Sequence, residues 1–324
     1  MKRVTTIDLQ RMRDRGEPIA MVTAYDYPTA KLVDEAEIPA ILVGDSLGMV
    51  VLGYESTLPV TLDDMIHHAK AVMRGAQRAH VVVDLPFGSY QTGWQDAMRA
   101  ATRVLRETGA GAVKLEGGVR VAETVRRLVE AGIPVMGHIG LTPQSVHQLG
   151  GFHVQGKTPR DAVRLIGDAK ALDEAGAYAI VLETIPTALA HMITKRLGVP
   201  TIGIGAGPFC SGQVQVVHDL LGLYEDFQPR HARRFLEGGR LVREALGTYI
   251  GAVTAGEFPT ADESFYMDER ALALIERMTE QGSEQAGETP QPLAAEGPEA
   301  ERAELYGPGA ESGTPPTSRP PERG

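Results

Sequence analysis

Cysteine, basic excess and long apolar runs are what this chain lacks. Its single cysteine, Cys210, has no internal partner, so neither a disulfide scaffold nor a cysteine-built zinc site can form, and a reducing compartment fits best. The N-terminal stretch has no uninterrupted apolar core of the kind that targets a chain for secretion. No later stretch approaches the roughly 20 apolar residues needed to span a bilayer. A soluble, cytoplasmic protein without a membrane partner is therefore expected. Acidic residues outnumber basic ones by 42 to 32, which disfavours nucleic-acid binding through a basic surface and turns attention to small-molecule chemistry. What the chain does have is apolar residues at 43% and charged residues at 23%, enough for a sizeable core. Disorder throughout, collagen and coiled coil are excluded.

The composition is uneven along the chain. The last 44 residues, 281–324, hold eight glutamates, eight prolines and seven glycines against three arginines, with Leu293, Leu305 and Tyr306 as the only large apolar groups. Such a segment buries too little to offset its chain entropy, so a disordered acidic tail without an assigned role is expected, and half of the formal charge belongs to it. Residues 1–280 alternate short apolar runs with amphipathic stretches, the pattern of repeated βα units. The candidate strands are 19–24, 40–43, 80–84, 112–116, 134–138, 179–182 and 201–203, with a weak eighth at 213–217. Helical patterns fall at 61–75, 94–108, 119–131, 159–175 and 186–197. Several end in a glycine just before the next strand, as left-handed helix caps do. Seven or eight equal units favour a closed (β/α)8 TIM barrel in 1–280 over an open sheet. Residues 5–15 form an extra helix plugging its bottom, and 230–255 one or two further helices.

In such a barrel the C-terminal strand ends share one face, where barrel enzymes keep their chemistry. Here those ends are acidic: Asp45-Ser46 closes the second strand, Asp84 the third, Lys114 and Glu116 the fourth, His138 the fifth and Glu183 the sixth. Each acid alone could be a helix cap. Converging together in a low-dielectric cavity, four carboxylates repel unless protons are retained or a cation sits among them, and a divalent metal is the simplest resolution. Oxygen-only donors select Mg2+ over zinc. Such an ion chelates a 2-oxo acid and acidifies the adjacent C–H, while Glu183, beyond the metal set, is free to be the general base. Lys114 and Glu116, two apart on a strand, both face the interior; the lysine meets substrate or a metal ligand, or forms a Schiff base. His138 either orients substrate oxygens or is a satisfied histidine of the upper barrel layer. Gly203, Gly205 and Gly207 lack the third glycine of a dinucleotide fingerprint and mark a tight turn instead.

The segments Thr23-Ala-Tyr-Asp-Tyr27, Val43-Gly-Asp-Ser-Leu-Gly48, Ser56-Thr-Leu-Pro-Val60, Asp84-Leu-Pro-Phe87, Val113-Lys-Leu-Glu-Gly-Gly118, Gly137-His-Ile-Gly-Leu-Thr-Pro-Gln-Ser145 and Ile202-Gly-Ile-Gly-Ala-Gly207 closely resemble, in order and spacing, the ketopantoate hydroxymethyltransferase family. That family lies within the phosphoenolpyruvate and pyruvate barrel superfamily, and the resemblance runs from about Thr5 to Phe265. It implies a Mg2+ set of Asp45, Asp84 and Glu116, oxo-acid contacts from Asp45, Ser46, Asp84 and Lys114, and Glu183 as proton acceptor. The implied reaction, in pantothenate and coenzyme A biosynthesis, carries a one-carbon unit from 5,10-methylenetetrahydrofolate to C3 of 3-methyl-2-oxobutanoate, giving 2-dehydropantoate. The implied assembly is a homodecamer. The alternatives are another Mg2+-dependent lyase or aldolase of the superfamily acting on a different oxo acid, and a non-catalytic barrel. Loss of the base or the metal acids would mark the last, and all four are present.

Overall fold

A computed structural model describes residues 2–281. The tail expected over 281–324 lies, but for Gln281, outside the described residues. In chain order the elements are α1 (Thr6–Asp14), β1 (Ile19–Thr23), α2 (Tyr27–Glu35), β2 (Ala40–Val43), α3 (Leu47–Val50), α4 (Leu62–Gly75), β3 (His80–Asp84), α5 (Trp94–Thr108), β4 (Ala112–Glu116), α6 (Val119–Glu130), β5 (Val135–Gly140), α7 (Val146–Leu149), α8 (Pro159–Glu174), β6 (Ala179–Glu183), α9 (Thr187–Thr194), β7 (Thr201–Ile204), β8 (Gly212–Gln215), α10 (Val217–Leu220), α11 (Gly238–Ala255) and α12 (Glu269–Gln281). All eight strands are parallel and close into a barrel in sequence order, sealed by β1 against β8 with Ile19 opposite Gly212 and Val22 opposite Gln215. This is the (β/α)8 fold that the alternating pattern predicts.

The apolar runs become strands because both faces of a closed parallel sheet are covered. Alternate side chains divide between two cores. Ala40 and Leu42 of β2 join Ile19, Met21, Val82, Met136 and Val181 in the barrel interior, whereas Ile41 and Val43 point outward into the layer under the helices. The helices carry their own start and stop signals. Thr61 and Asp64 form a capping box on α4, Thr158 caps α8 ahead of Pro159, and Gly109 ends α5 in the left-handed conformation. The plug helix is as expected: Leu9 of α1 packs among the interior residues, and Arg13 donates to the Leu197 carbonyl at 2.6 Å.

Two expectations are corrected in detail, and one helix, α2, is not among the expected ones. The eighth strand is Gly212–Gln215, and Val217 already opens α10. Residues 230–237 are irregular, so the helix expected from Arg230 begins at Gly238. Helix α2 carries no strong apolar period, yet forms because the Asp26 side chain accepts from Thr29 N–H at 2.7 Å and Pro28 sits in its first turn. The barrel lies within one compact unit, Met1–Gly251; a second begins at Ala252 and contains a 3-10 turn, Ala261–Glu263, capped by Thr260, followed by α12. No helix among the described residues is long and apolar enough to cross a membrane.

Candidate active site

The C-terminal strand ends surround a cavity of about 580 Å3, lined by Asp45, Ser46, Asp84, Lys114, Glu116, His138 and Glu183 among others. Every candidate from the strand ends is therefore brought to one place. None of the four acids is a helix cap: the caps that follow are Ser46, Gly93, Gly118 and Pro186, and no side chain of these acids fills that role.

The strand register explains the convergence. Asp84 is level with Lys114, and Glu116 with His138, across neighbouring strands. Lys114 Nζ lies 3.0 Å from Asp84 Oδ1 and 3.1 Å from His138 Nδ1, both partners being almost wholly buried. Asp84 Oδ2 accepts from the Asp45 backbone N–H at 3.1 Å, fixing the β2 end against the β3 end. Ser46 Oγ is 2.8 Å from the buried Tyr25 hydroxyl.

Electrostatically the site holds more negative than positive charge. Burial, and then Asp84, push the Asp45 carboxyl up to about 7. Burial, and then Asp45, hold Glu116 well above the usual carboxylate range. Burial alone would discharge the Lys114 ammonium, but Asp84, Glu116 and Asp45 outweigh it and keep the group charged. His138 is shifted down by burial and by Lys114. An ammonium only donates, so Nδ1 facing Lys114 is the acceptor and the proton of this neutral ring sits on Nε2, 3.1 Å from Glu183 Oε2. Nδ1 thus faces Lys114, and Nε2 lies close to Glu183 without a formed hydrogen bond.

The backbone around Glu183 is tightly held. Its carbonyl accepts from Leu141 N–H at 2.8 Å, and the next residue, Thr184, adopts φ 48°, a left-handed conformation costly for a β-branched residue. Gly140 permits this turn: at φ 99°, an added Cβ would lie 2.2 Å from the Glu183 carbonyl oxygen.

Two buried residues join the site that the strand-end pattern does not reveal. Gln144, in the 3-10 turn Pro143–Ser145 after β5, donates from Nε2 to Asp45 Oδ2 at 2.8 Å and to the Leu85 carbonyl at 3.0 Å. Its backbone N–H donates to Glu116 Oε2 at 3.1 Å. Tyr90, from the loop after β3, donates its hydroxyl to Gln144 Oε1 at 2.6 Å and accepts from the Glu116 N–H at 3.1 Å. Both are loop residues, and only folding shows where they land.

The donor set fits a hard cation. Among the described residues Asp84 Oδ1 faces the Lys114 ammonium at 3.0 Å, and only Oδ2 of Asp45 is engaged, which leaves Asp45 Oδ1 open. Among the described residues no three His, Cys, Asp or Glu side chains already grip a common point. Mg2+ does not require such a cage, since it is held through one or two carboxylates and keeps several waters.

The sequence model of the ketopantoate hydroxymethyltransferase family matches residues 3–261. The chain belongs to that family. Among similar ketopantoate hydroxymethyltransferases, the 3-methyl-2-oxobutanoate hydroxymethyltransferase of Chloroflexus aurantiacus is 59% identical over 282 residues, covering 87% of this chain and 100% of the relative. The enzyme of that name from Dehalococcoides mccartyi is 56% identical over 275 residues, covering 85% and 98%. Among solved structures, oxaloacetate acetylhydrolase with oxalate (TM-score 0.54, 14% identity, 87% of this chain and 99% of that one) shares the fold of this ketopantoate hydroxymethyltransferase family member. So does phosphonopyruvate hydrolase with oxalate and Mg2+ (TM-score 0.53, 12% identity, 86% and 99%).

Proposed function

We propose that this chain is a 3-methyl-2-oxobutanoate hydroxymethyltransferase, joining the one-carbon unit of 5,10-methylenetetrahydrofolate to C3 of 3-methyl-2-oxobutanoate. Water supplies the hydroxyl oxygen, and 2-dehydropantoate and tetrahydrofolate leave. The observation that carries the reading is that Glu183, beside His138, lines one cavity with Asp45, Asp84, Lys114 and Glu116. Relatives at 55–59% identity bearing that name support it, and no observation favours the lyase or aldolase alternative.

Asp45 and Asp84, with Glu116 beside them, would hold Mg2+, which when bound polarises the 2-oxo group and makes the neighbouring C–H more acidic. Lys114 balances the carboxylates and offers its ammonium to the substrate carboxylate. Ser46, propped by Tyr25, adds a hydroxyl donor. Glu183 takes the C3 proton, with the neutral His138 ring 3.1 Å from its carboxylate. The resulting carbanionic C3 bonds to the folate-borne methylene carbon, whose two C–N bonds break as water supplies its hydroxyl; the water proton and the proton taken from C3 end on the two freed folate nitrogens. A cavity of about 580 Å3 is in the range that encloses drug-sized ligands, room for a folate ring system above a five-carbon acid. We assign catalysis to residues 1–280 and none to 281–324; a cytoplasmic location and homodecameric assembly belong to the same proposal.

Deuterium wash-in at C3 of 3-methyl-2-oxobutanoate in D2O, followed by proton NMR, tests it. Exchange that needs both protein and Mg2+ is the expected result. Absence of exchange with Mg2+, both without and with added tetrahydrofolate, would overturn the assignment.

A further inference from the structure

Four strands bring acids to the cavity, and a single residue ties the ends of three of them, β2, β3 and β4, together. Gln144 reaches Asp45 at the end of β2, the Leu85 carbonyl just past β3 and Glu116 at the end of β4, using its side chain for the first two and its backbone N–H for the third. It is itself 5% exposed. Its amide has one satisfiable orientation. Nε2 faces two acceptors, Asp45 Oδ2 and Leu85 O, while Oε1 faces two donors, the Tyr90 hydroxyl at 2.6 Å and Gln91 Nε2 at 3.2 Å. Turning the amide over would set its oxygen against both Asp45 Oδ2 and the Leu85 carbonyl and its nitrogen against Gln91 Nε2, leaving three contacts mismatched. Tyr90 completes the frame, since its oxygen also accepts from the Glu116 backbone N–H. One carboxylate oxygen of Asp45 and one of Glu116 are thereby committed to Gln144, leaving Asp45 Oδ1 and Glu116 Oε1, the latter 3.6 Å from His138 Nδ1, uncommitted to it.

We propose that Gln144, locked by Tyr90, is a positioning residue that presets Asp45 and Glu116 for the divalent cation and so determines how tightly the cation binds, without touching the reacting carbon. The proposal rests on the function given above. Neutral outer partners of this kind align charged ligands in advance, so that binding need not pay for ordering them, and their loss commonly costs 10–100-fold in metal affinity.

The test uses the full chain and Mn2+ as the spectroscopic probe, with binding read by electron paramagnetic resonance. Gln144→Met keeps volume but removes both side-chain donors and the acceptor; Tyr90→Phe keeps the ring but removes the hydroxyl that supports Gln144 and Glu116. We expect the Mn2+ Kd to rise about tenfold or more in Gln144→Met and severalfold in Tyr90→Phe. In C3-proton exchange, the Mg2+ concentration for half-maximal rate should rise in parallel, while the rate at saturating Mg2+ stays within about threefold of the parent. A Kd within twofold of the parent in both folded variants overturns the proposal, as does a rate that saturating Mg2+ fails to restore. A parent protein that binds no Mn2+ overturns the function itself together with this proposal, so the two failures are told apart.

Discussion

Glu183 shows how much of a site one side chain carries and how much its neighbours supply. Its carboxylate is only partly covered, whereas the imidazole beside it is buried and neutral, and the backbone behind it is pinned through Gly140 and Thr184. Glu183→Gln keeps the shape and the contact with His138 but removes the base. The expected outcome is a fall of about 10²–10⁴-fold in C3 exchange, with oxo-acid binding in the presence of Mg2+ retained by calorimetry. Exchange at the parent rate would take Glu183 out of the mechanism. At this scale the sequence is informative where chemistry is local. An acid closing an apolar run is visible in a few consecutive letters, and Asp45, Asp84, Glu116 and Glu183 all arrive at the cavity from that signal. Gln144 and Tyr90 carry no such mark, because a neutral amide and a phenol in loops become site residues only through the partners that folding gives them. The same applies to His138, whose position was legible but whose tautomer follows from Lys114 on one side and Glu183 on the other.

Strand β3 illustrates what an element contributes beyond its acidic end. It starts at His80, a buried residue whose Nε2 lies 3.1 Å from the Tyr178 hydroxyl, and it finishes at Asp84 in the site. Burial, with a smaller push from Arg3, lowers the His80 pKa to about 4. In the unfolded chain the imidazole titrates near 6.5, so below that pH the unfolded state binds a proton that the folded state refuses. The stability due to neutral His80 is complete above pH 6.5 and is lost as pH falls toward 4, by about 3 kcal/mol at most. Urea unfolding from pH 7.5 to 4.5 should show His80→Gln losing less stability with acidification than the parent; parallel curves would rule the histidine out as a source. Elements with long runs or strong caps were readable from sequence, as β3 and the capped α4 and α8 show. Of the four-residue strands, β2 and β7 are also legible, and β8 only roughly. Strand β8 is only four residues with an exposed glutamine, and what makes it a strand is pairing with β1, nearly two hundred residues earlier.

Taken whole, the molecule depends on that seam. Gly212 lies so close to β1 that an added Cβ would sit 2.2 Å from the Ile19 carbonyl oxygen, so Gly212→Ala must part the two strands. We expect a loss of about 3 kcal/mol, or a Tm lower by roughly 6–12 °C in calorimetry, since such overpacking against backbone has no flexible atom to yield. An unchanged Tm would mean that the seam relaxes freely. The seam also sets a timetable. β1 is made first and its partner last, and at a synthesis rate of about 5–20 residues per second the 193 positions from Ile19 to Gly212 take roughly 10–40 s to appear. Throughout that interval the leading edge of the barrel has its hydrogen-bonding groups on offer to any passing strand. The open side of β1 is thus the surface a growing chain has to keep covered until Gly212–Gln215 is made.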